Sequence, residues 1–362
     1  MNSKVKRIFS NVSEEIDAIL ILNDVEPNID STFFYVTGLD SGIFEGSCLI
    51  LWPDGSTELI SSKLEEASAR SAFQNFKIFE KTAERNKMIE ESLRGINRIG
   101  LNFSSLTVKN YKEINKLLDE AEKVDVSSAI EKTRLVKELD EIEKIRKACR
   151  IVSAVADEIP NFLTEGITEY EAAAEISYRM QKMGATSPSF DPIISFGSNS
   201  AEPHHLSSDN KLSIGHCTLF DFGAKYKRYC SDITRTYFFG RPLFEFEEMY
   251  EIVLEAQQSA IDMMRAGIMA RDVDARARKI IDSTCYKGKF VHSLGHSIGL
   301  AVHDGGRISQ DNDLVLEENM VFTIEPGIYV SGKGGIRIED NVRVTKDGCE
   351  ILTTARRELL VI

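Results

Sequence analysis

The stretch Phe220–Thr236, FDFGAKYKRYCSDITRT, predicts a β-hairpin that carries two aspartates. If the turn is centred between Tyr226 and Lys227, Asp221 and Asp232 lie directly opposite each other, with about 4.5–5.5 Å between their Cβ atoms. Two carboxylates at that distance repel, so the pair needs a shared proton, an arginine or a metal ion. The alternative is a surface hairpin of another register, in which both aspartates are solvated.

A group of histidines follows in HSLGHSIGLAVHD, where His292, His296 and His303 make up half of the 6 histidines in the chain. Three imidazoles so close together indicate metal binding or proton transfer rather than three unrelated structural roles. The spacing of the first two is that of a helical zinc pair. That interpretation fails, because Ser293 stands where such a motif needs glutamate and Gly295 interrupts a helix.

Two further carboxylates lie at strand positions. Glu325 ends the apolar strand MVFTI and precedes a Pro-Gly turn, which suits a side chain that points into a site. In GIRIEDNVRV, the alternation of a strand places Arg337 and Glu339 on the same face. The arginine could orient a metal-binding carboxylate. A simple salt bridge and a solvated strand end remain the alternatives.

The four carboxylates of Asp221, Asp232, Glu325 and Glu339 together carry a charge that two divalent cations would balance. An oxygen-rich set with one or two imidazoles suits manganese, cobalt, iron or zinc. Two metal ions about 3.5–4 Å apart can hold a nucleophilic hydroxide and polarise the carbonyl that it attacks. The sequence therefore predicts a two-metal hydrolase that acts on an amide or ester bond.

Composition excludes several other classes of protein. Of 362 residues, 42% are hydrophobic and 28% are charged, as in globular proteins rather than disordered or fibrous ones. The 44 Lys and Arg against 57 Asp and Glu give a net charge of −13 without a basic run, so we expect no nucleic-acid partner. The longest early apolar run, Ala18–Leu22, is too short to cross a bilayer. The 6 cysteines are scattered, so we expect reduced thiols, no membrane contact and a cytoplasmic location.

Length and periodicity predict two domains, residues 1–132 and 133–362, with the boundary just before a long amphipathic helix. Alternating strands and helices predict an α/β domain first, with strands at 18–22, 46–52, 57–60 and 96–101 and helices at 62–73 and 109–118. Segregated helices and antiparallel strands predict an α+β domain second. Its helices are expected at 138–163, 168–183, 243–266 and 271–285 and its strands at 217–223, 229–239, 320–325 and 335–345. Thr168 and Glu171 have the spacing of a capping box.

Four motifs, in this order, resemble the pita-bread metallopeptidases, specifically the Xaa-Pro branch of prolidases and Xaa-Pro aminopeptidases: FDFGAKYKRYCSDITRT, HSLGHSIGLAVHD, FTIEPGIY and GGIRIED. The resemblance extends to PHH at 203–205 and KTRLVKELDEIEKIRKA at 132–148, and more faintly to FFYVTGLDS and CLILWPDG. It implies an α+β chain with a C-terminal pita-bread (creatinase/aminopeptidase-like) domain and a smaller N-terminal creatinase-like α/β domain.

The resemblance also implies five metal ligands, all of which are present. Asp221 would chelate one of two divalent metal ions, and Asp232 and Glu339 would bridge both. His296 and Glu325 would complete the coordination of the second ion. Manganese or cobalt is the expected metal, with zinc or iron as alternatives.

Five residues match catalytic positions of the family. His204 and His303 match histidines that contact substrate and stabilise the tetrahedral intermediate, and His292 matches a histidine on the substrate side. Glu325 also matches a general acid–base, and Arg337 matches the arginine two residues before the bridging glutamate. The implied substrate is a proline-containing dipeptide or short peptide, cleaved before proline by a homodimer.

Two positions depart from the family pattern. Ser297 replaces the usual glycine, and residues 304–306 read DGG where the family more often has a glutamate and a nearby proline. Both lie in the substrate loop and bear on the peptide length accepted. We expect an Xaa-Pro dipeptidase, with an Xaa-Pro aminopeptidase as the nearest alternative. A methionine aminopeptidase usually lacks the extra N-terminal domain, and non-enzymatic binding modules on this scaffold commonly lose the ligands.

Overall fold

Strands alternate with helices in the first of two units into which the chain divides, Met1–Arg134 and Leu135–Ile362. The computed structural model describes residues 2–73 and 75–362. The strands of the first unit are β1 (Ala18–Leu22), β2 (Cys48–Leu51), β3 (Thr57–Ser62), β4 (Phe76–Phe79), β5 (Arg98–Leu101) and β6 (Glu122–Asp125). Its helices are α1 (Ser3–Asn11), α2 (Ser31–Thr37), α3 (Glu66–Ala72), α4 (Thr82–Ser92), α5 (Val108–Leu117) and α6 (Ser127–Leu135).

One mixed sheet organises this unit, with the strand order β4-β3-β2-β1-β5-β6. The predicted hairpin is formed by β2 and β3, with Leu49 opposite Leu59. β1 pairs in parallel with β5, and all of its residues are buried. The predicted α/β domain with a mixed sheet is therefore confirmed. The helix predicted at 62–73 differs at its start, where the 3₁₀ turn Lys63–Glu65 precedes α3.

The helices of the second unit are α7 (Leu139–Phe162), α8 (Glu169–Lys182), α9 (Phe244–Met263) and α10 (Ala270–Asp282). The predicted capping box is present at the start of α8. Glu171 N–H donates to Thr168 Oγ1 at 3.1 Å, and Thr168 N–H donates to Glu171 Oε2 at 2.8 Å. α8 ends ahead of Gly184, whose φ of +100° suits glycine. Within residues 2–73 and 75–362, no helix combines the length and the apolar character that crossing a membrane requires.

The strands of the second unit are β7 (Ser187–Pro188), β8 (Ile193–Phe196), β9 (His216–Phe222), β10 (Ala224–Tyr226), β11 (Tyr229–Cys230), β12 (Ile233–Phe239), β13 (Gly295–His296), β14 (Arg307–Ile308), β15 (Val321–Ile324), β16 (Gly327–Val330), β17 (Gly334–Arg337), β18 (Asp340–Val344) and β19 (Cys349–Ile351). They pair antiparallel, in sheets ordered β12-β9-β8, β11-β10-β7, β15-β18-β19, β16-β17 and β13-β14. α7 and α8 share a buried apolar cluster with β8, β9 and β12, and α9 and α10 share another with β15 and β18. The predicted α+β organisation is confirmed.

The register of the aspartate hairpin differs from the prediction. Thr234, not Asp232, lies opposite Asp221. The turn is centred between Lys227 and Arg228, whose φ values of 46° and 71° are both positive, as a tight type I′ turn requires. This turn shifts the pairing by two positions along the return strand. The predicted direct opposition of the two aspartates is therefore wrong.

The strand predicted at 335–345 is divided in two. β17 pairs with β16, whereas β18 pairs with β15, so the chain changes sheets at Ile338 and Glu339. The predicted alternation nevertheless continues through the break, because Ile338 is buried in the apolar cluster of α9 and α10. The backbone N–H of Glu339 donates to Thr234 O at 3.1 Å, which ties the break to β12. Glu339 thereby sits where two sheets meet.

Candidate metal centre

One cavity of about 410 Å³ in the second unit is lined by every predicted site residue. These are Asp221, Asp232, Glu325 and Glu339, the histidines His204, His292, His296 and His303, and Arg337. Phe190, Ile193 and Val302 add apolar wall, and Arg307 adds a second arginine. The separate motifs of the sequence thus converge on one site.

Asp232, His296 and Glu339 form the tightest group of potential ligands, with one ligand atom from each within 4.8 Å of the others. His296 Nε2 lies 3.6 Å from Asp232 Oδ2 and 3.4 Å from Glu325 Oε1. The backbone N–H of Asp232 donates to Asn341 Oδ1 at 3.0 Å, which fixes this residue between β11 and β12. The group therefore combines two carboxylates and one imidazole, and a third carboxylate lies beside the imidazole.

The position of His296 depends on a close approach of two strands. A Cβ atom on Gly295 would lie 1.9 Å from Thr323 O, so only glycine fits there. The backbone N–H of His296 then donates to Thr323 Oγ1 at 3.0 Å, and that hydroxyl donates to Glu325 Oε1 at 3.0 Å. Thr323 thus orients both an imidazole and a carboxylate of the site.

Arg337 and Thr234 connect the remaining carboxylates. Arg337 Nη2 donates to Asp221 Oδ2 at 2.6 Å, and Arg337 Nε donates to Thr234 Oγ1 at 3.0 Å. Thr234 Oγ1 in turn donates to Glu339 Oε2 at 2.6 Å. The predicted association of Arg337 with a site carboxylate is present, but its partner is Asp221 and its link to Glu339 passes through Thr234.

The tautomer of His292 follows from its neighbours. Arg337 Nη1 donates to the Tyr329 hydroxyl at 2.9 Å, and arginine can only donate. The hydroxyl proton is then directed to His292 Nε2, 2.9 Å away, which accepts it. His292 Nδ1 therefore carries the ring proton and donates to Ser293 O at 2.8 Å.

The other two predicted histidines, His204 and His303, also line the cavity. The His303 ring meets the His296 ring edge to face, with centroids 4.1 Å apart. His204 follows the 3₁₀ turn Gly197–Ala201 and lies close enough to lower the pKa of His303 electrostatically, although burial and Arg307 contribute more. The neighbouring His205 contacts Glu169 instead, with Nε2 2.8 Å from Oε2.

Burial and mutual repulsion shift the pKa values of the carboxylates upward. The pKa values of Asp232 and Glu339 are raised well above the ordinary range, chiefly by burial and then by neighbouring carboxylates. Burial also raises the pKa of Asp221 and raises that of Glu325 to about 7. Conversely, burial lowers the pKa of His292 and of His296 to about 3. The site therefore disfavours both its own negative charges and protonated imidazoles.

These properties fit divalent cations. Asp221 Oδ1, Asp232 Oδ1 and Glu339 Oε1 are buried and have no hydrogen-bond partner within residues 2–73 and 75–362. Buried polar atoms in proteins normally have a partner, so these carboxylate oxygens beside a neutral imidazole are suited to bind a cation. A bound cation would also remove the repulsion that raises the pKa values.

Comparison with known proteins identifies the family. The Metallopeptidase family M24 profile matches residues 143–346, and the Creatinase/Prolidase N-terminal domain profile matches residues 10–136. The chain belongs to metallopeptidase family M24. Among M24 relatives, the Xaa-Pro dipeptidase of Pyrococcus horikoshii is 38% identical over 361 residues, which cover 99% of each chain.

Solved structures support the same assignment to M24. The X-Pro aminopeptidase of Thermotoga maritima is similar with a TM-score of 0.90 and 35% identity, covering 96% of this chain and 98% of that one. The Xaa-Pro dipeptidase of Bacillus anthracis is similar with a TM-score of 0.92 and 34% identity, covering 99% of both chains. The expected fold, a pita-bread domain with a creatinase-like N-terminal domain, is confirmed. Membership of this metallopeptidase family implies a peptidase with divalent metal ions.

Several residues that shape the M24 site escape the sequence reasoning. Tyr329, Thr234 and Thr323 orient site side chains through hydroxyl groups. Hydroxyl residues are common in strands, so the sequence gives no reason to assign these three residues to the site unless the strand register is known. Arg307 lies three residues after the end of the histidine motif, and its pairing opposite His296 and its place on the cavity wall are the reasons to include it.

Proposed function

We propose that this chain hydrolyses the peptide bond before proline in dipeptides, as a metal-dependent Xaa-Pro dipeptidase. The observation that carries the proposal is the convergence of four carboxylates and His296 on one cavity, with unsatisfied oxygens on three of the carboxylates. The substrate class rests on relatives named Xaa-Pro dipeptidase that match over nearly their full length.

The proposed ligands are Asp221, Asp232, His296, Glu325 and Glu339 for two divalent ions, with manganese or cobalt expected and zinc or iron as alternatives. The chemistry that bound divalent ions supply is Lewis-acid polarisation of the scissile carbonyl and acidification of water. Arg337 holds Asp221 through one carboxylate oxygen and leaves Oδ1 available. Thr234 does the same for Glu339 and leaves Oε1 available.

Glu325 is the proposed general acid–base. Its Oε1 accepts the Thr323 hydroxyl, so Oε2 is the atom proposed to take a proton from the attacking water. The same oxygen then returns that proton to the proline nitrogen as the C–N bond breaks and the new C–O bond completes the acid product. In the metal-free chain burial raises the pKa of Glu325 to about 7, and a bound cation would favour the carboxylate form that accepts the proton.

The histidines of the cavity wall are proposed to face the substrate, and His303 is proposed to act as a neutral donor. Burial and Arg307 lower the pKa of His303, so its imidazole is neutral and can donate an N–H to the substrate carbonyl oxygen. His204, which lies on the cavity wall in the segment that follows β8, is proposed to assist His303. His292 carries its proton on Nδ1, which is bound to Ser293 O, and we propose that it shapes the substrate side together with Tyr329.

The proline side of the substrate also suits this cavity. Proline carries no N–H, so a site for this bond cannot require that donor and must recognise the ring by shape. Phe190, Ile193 and Val302 supply apolar surface on the cavity wall. An Xaa-Pro aminopeptidase is the second candidate, because the Thermotoga maritima enzyme is similar over almost the whole chain.

Product release from Ala-Pro and Ala-Pro-Ala tests both candidates. We propose that the chain comprises the domains 1–132 and 133–362, and the experiment uses both together. The metal-stripped protein would be reloaded separately with manganese, cobalt and zinc. Cleavage of Ala-Pro alone supports the dipeptidase, and cleavage of the tripeptide as the better substrate supports the aminopeptidase. Cleavage of neither peptide with any of the metals would overturn the proposal.

We further propose a homodimer in the cytoplasm. The dimer rests on the family resemblance alone, and light scattering in solution tests it, with a monomer as the contradicting result. The compartment is supported by the scattered cysteines, none of which is paired in a disulfide within residues 2–73 and 75–362. Cys48, Cys149, Cys217 and Cys230 are buried, and reduced thiols are typical of a reducing environment.

A further inference from the structure

The first residue of α8, Glu169, is a fully buried carboxylate outside the metal centre. Its Oε1 accepts hydrogen bonds from the Phe196 backbone N–H at 2.8 Å and from the Asn199 and Asn210 side chains at 3.0 and 3.2 Å. Its Oε2 accepts from Ser208 N–H at 2.9 Å, Ser208 Oγ at 2.7 Å and His205 Nε2 at 2.8 Å. Six donors thus converge on one carboxylate.

All of these donors belong to one segment, residues 196–210. The segment begins at the end of β8, passes through the 3₁₀ turn Gly197–Ala201 and carries His204 to the cavity wall. His205 binds Glu169 immediately beside it. The carboxylate therefore holds the segment on both sides of His204, at its start through Phe196 and Asn199 and at its end through Ser208 and Asn210.

Helix capping does not account for this arrangement. The capping box of α8 is already formed by Thr168 and Glu171, as the sequence predicts. Burying a carboxylate is costly and raises its pKa, but the hydrogen bonds from His205, Ser208, Phe196 and Asn199 outweigh burial and lower the pKa of Glu169. The carboxylate is thus ionised and accepts from every donor around it.

We propose that Glu169 is a positioning residue for His204, and that its carboxylate fixes segment 196–210 so that the imidazole faces the scissile bond of the substrate. The proposal rests on the function proposed above. Glu169 itself is not among the described residues that line the cavity. It acts through the segment that carries His204.

A glutamine at this position disrupts the arrangement with almost no change in volume. Whichever carboxylate oxygen the amide nitrogen replaces, its N–H groups face a backbone N–H, that of Phe196 or that of Ser208. A backbone N–H cannot reverse its polarity, so at least one hydrogen bond becomes a donor–donor contact. An aspartate keeps the charge and accepts at both oxygens, although it is shorter.

The experiment compares Glu169→Gln with Glu171→Gln, the same charge-removing change in the capping box of the same helix, where the Glu171 carboxylate accepts from Thr168 rather than from segment 196–210. We expect Glu169→Gln to lower kcat for Ala-Pro by at least tenfold at unchanged metal content, with a smaller change in KM. Glu169→Asp, which keeps the charge, should lose less activity than Glu169→Gln. Glu171→Gln should stay within twofold of wild type. A loss in Glu169→Gln no larger than that in Glu171→Gln would overturn the proposal.

A double-variant cycle separates positioning from general stability. If Glu169 acts through His204, adding Glu169→Gln to His204→Ala should change kcat by less than twofold. A full tenfold loss in that background would overturn the proposal.

Hydrogen exchange decides the proposal without relying on activity. Glu169→Gln should speed amide exchange within residues 196–210 while Glu171→Gln does not, and unchanged exchange there would overturn the positioning role. If wild-type protein cleaves no Xaa-Pro peptide, the proposed function fails, whereas the positioning role is still decided by exchange.

Discussion

Thr234, rather than Asp232, lies opposite Asp221 in the ladder between β9 and β12. Asp232 is thereby released from strand pairing, and its backbone is held by Asn341 while its side chain faces His296. Thr234 occupies the ladder position and uses its hydroxyl to connect Arg337 with Glu339. The shift of register thus places a hydroxyl, which can both donate and accept, between an arginine and a carboxylate.

Asp232→Asn should separate function from stability. Because it removes a proposed bridging ligand, we expect kcat/KM for Ala-Pro to fall by more than about 100-fold, since even loss of a ligand-orienting partner commonly costs 10–100-fold. Because the variant removes one of several repelling buried carboxylates, the metal-free protein should become more stable. Ala-Pro hydrolysis kinetics, with metal content determined by elemental analysis, check the loss of kcat/KM. Thermal unfolding of metal-free protein checks the gain in stability. Full activity with added metal would contradict the two-metal site.

Much of the site could be predicted because its side chains lie in motifs whose local structure is strongly determined. The capping box of α8 acts over a few residues and is read directly from the sequence. The face alternation of Arg337 and Glu339 survives because it depends only on the period of a strand. Convergence on one cavity then follows from the antiparallel sheets.

The parts that sequence reasoning missed depend on distant partners. The hairpin register is set by positive φ values at Lys227 and Arg228, residue types that seldom adopt them. The break at Glu339 exists because β17 and β18 join different sheets. Glu169 follows directly on a helix cap, where a glutamate is ordinary, and its six donors come from a segment at least 27 residues away in the chain.

Lys137→Met should destabilise the loop that carries two site histidines. The Lys137 side chain is fully buried, with Nζ 3.0 Å from Ser297 Oγ and 3.8 Å from Asp304 Oδ2. Ser297 and Asp304 directly follow His296 and His303 in the chain. In the variant the Lys137 cation no longer faces the buried Asp304 carboxylate, so we expect the free energy of unfolding to fall by about 3 kcal/mol.

Chemical denaturation of the Lys137 variant measures this loss. Lys87→Met is the matched control, because Lys87 is 76% exposed and its ion pair with Glu91 spans 3.8 Å, so its loss should cost under about 0.5 kcal/mol. The double variant Lys137→Met, Asp304→Asn should recover part of the stability by removing the buried charge. Equal costs for the Lys137 and Lys87 variants would contradict the buried contact.

Tyr329→Phe should leave the tautomer of His292 in place while weakening activity. The phenol hydroxyl supplies the proton that His292 Nε2 accepts, and it also accepts from Arg337. His292 Nδ1–H still donates to Ser293 O in the variant, so we expect this tautomer to persist and kcat/KM to fall about fivefold, which corresponds to the ~1 kcal/mol of one hydrogen bond. Nitrogen chemical shifts of the His292 ring measure the tautomer. A proton on Nε2 in wild type or variant would contradict the assignment.

Removal of the metal ions should expose a pH dependence of stability with a definite sign. In metal-free protein, the folded-state pKa of Glu325 is about 7 against an ordinary 4.5, and those of Asp232 and Glu339 are raised well above their ordinary range, with burial as the first cause in each case. The folded state therefore binds more protons than the unfolded chain, so the free energy of unfolding falls as pH rises through these values. The buried histidines have lowered pKa values and act in the opposite direction, but only below their unfolded pKa of about 6.5.

The window from pH 6.5 to 8 therefore isolates the carboxylates. Denaturation of chelator-stripped protein should show stability decreasing across this window, and Asp232→Asn should flatten the decrease. Metal-loaded protein should lack it, because bound ions hold the ligands in the deprotonated form and are displaced only as acid is added. Stability of the stripped protein that rises from pH 6.5 to 8 would contradict the raised pKa values and, with them, the repulsion that metal ions are proposed to relieve.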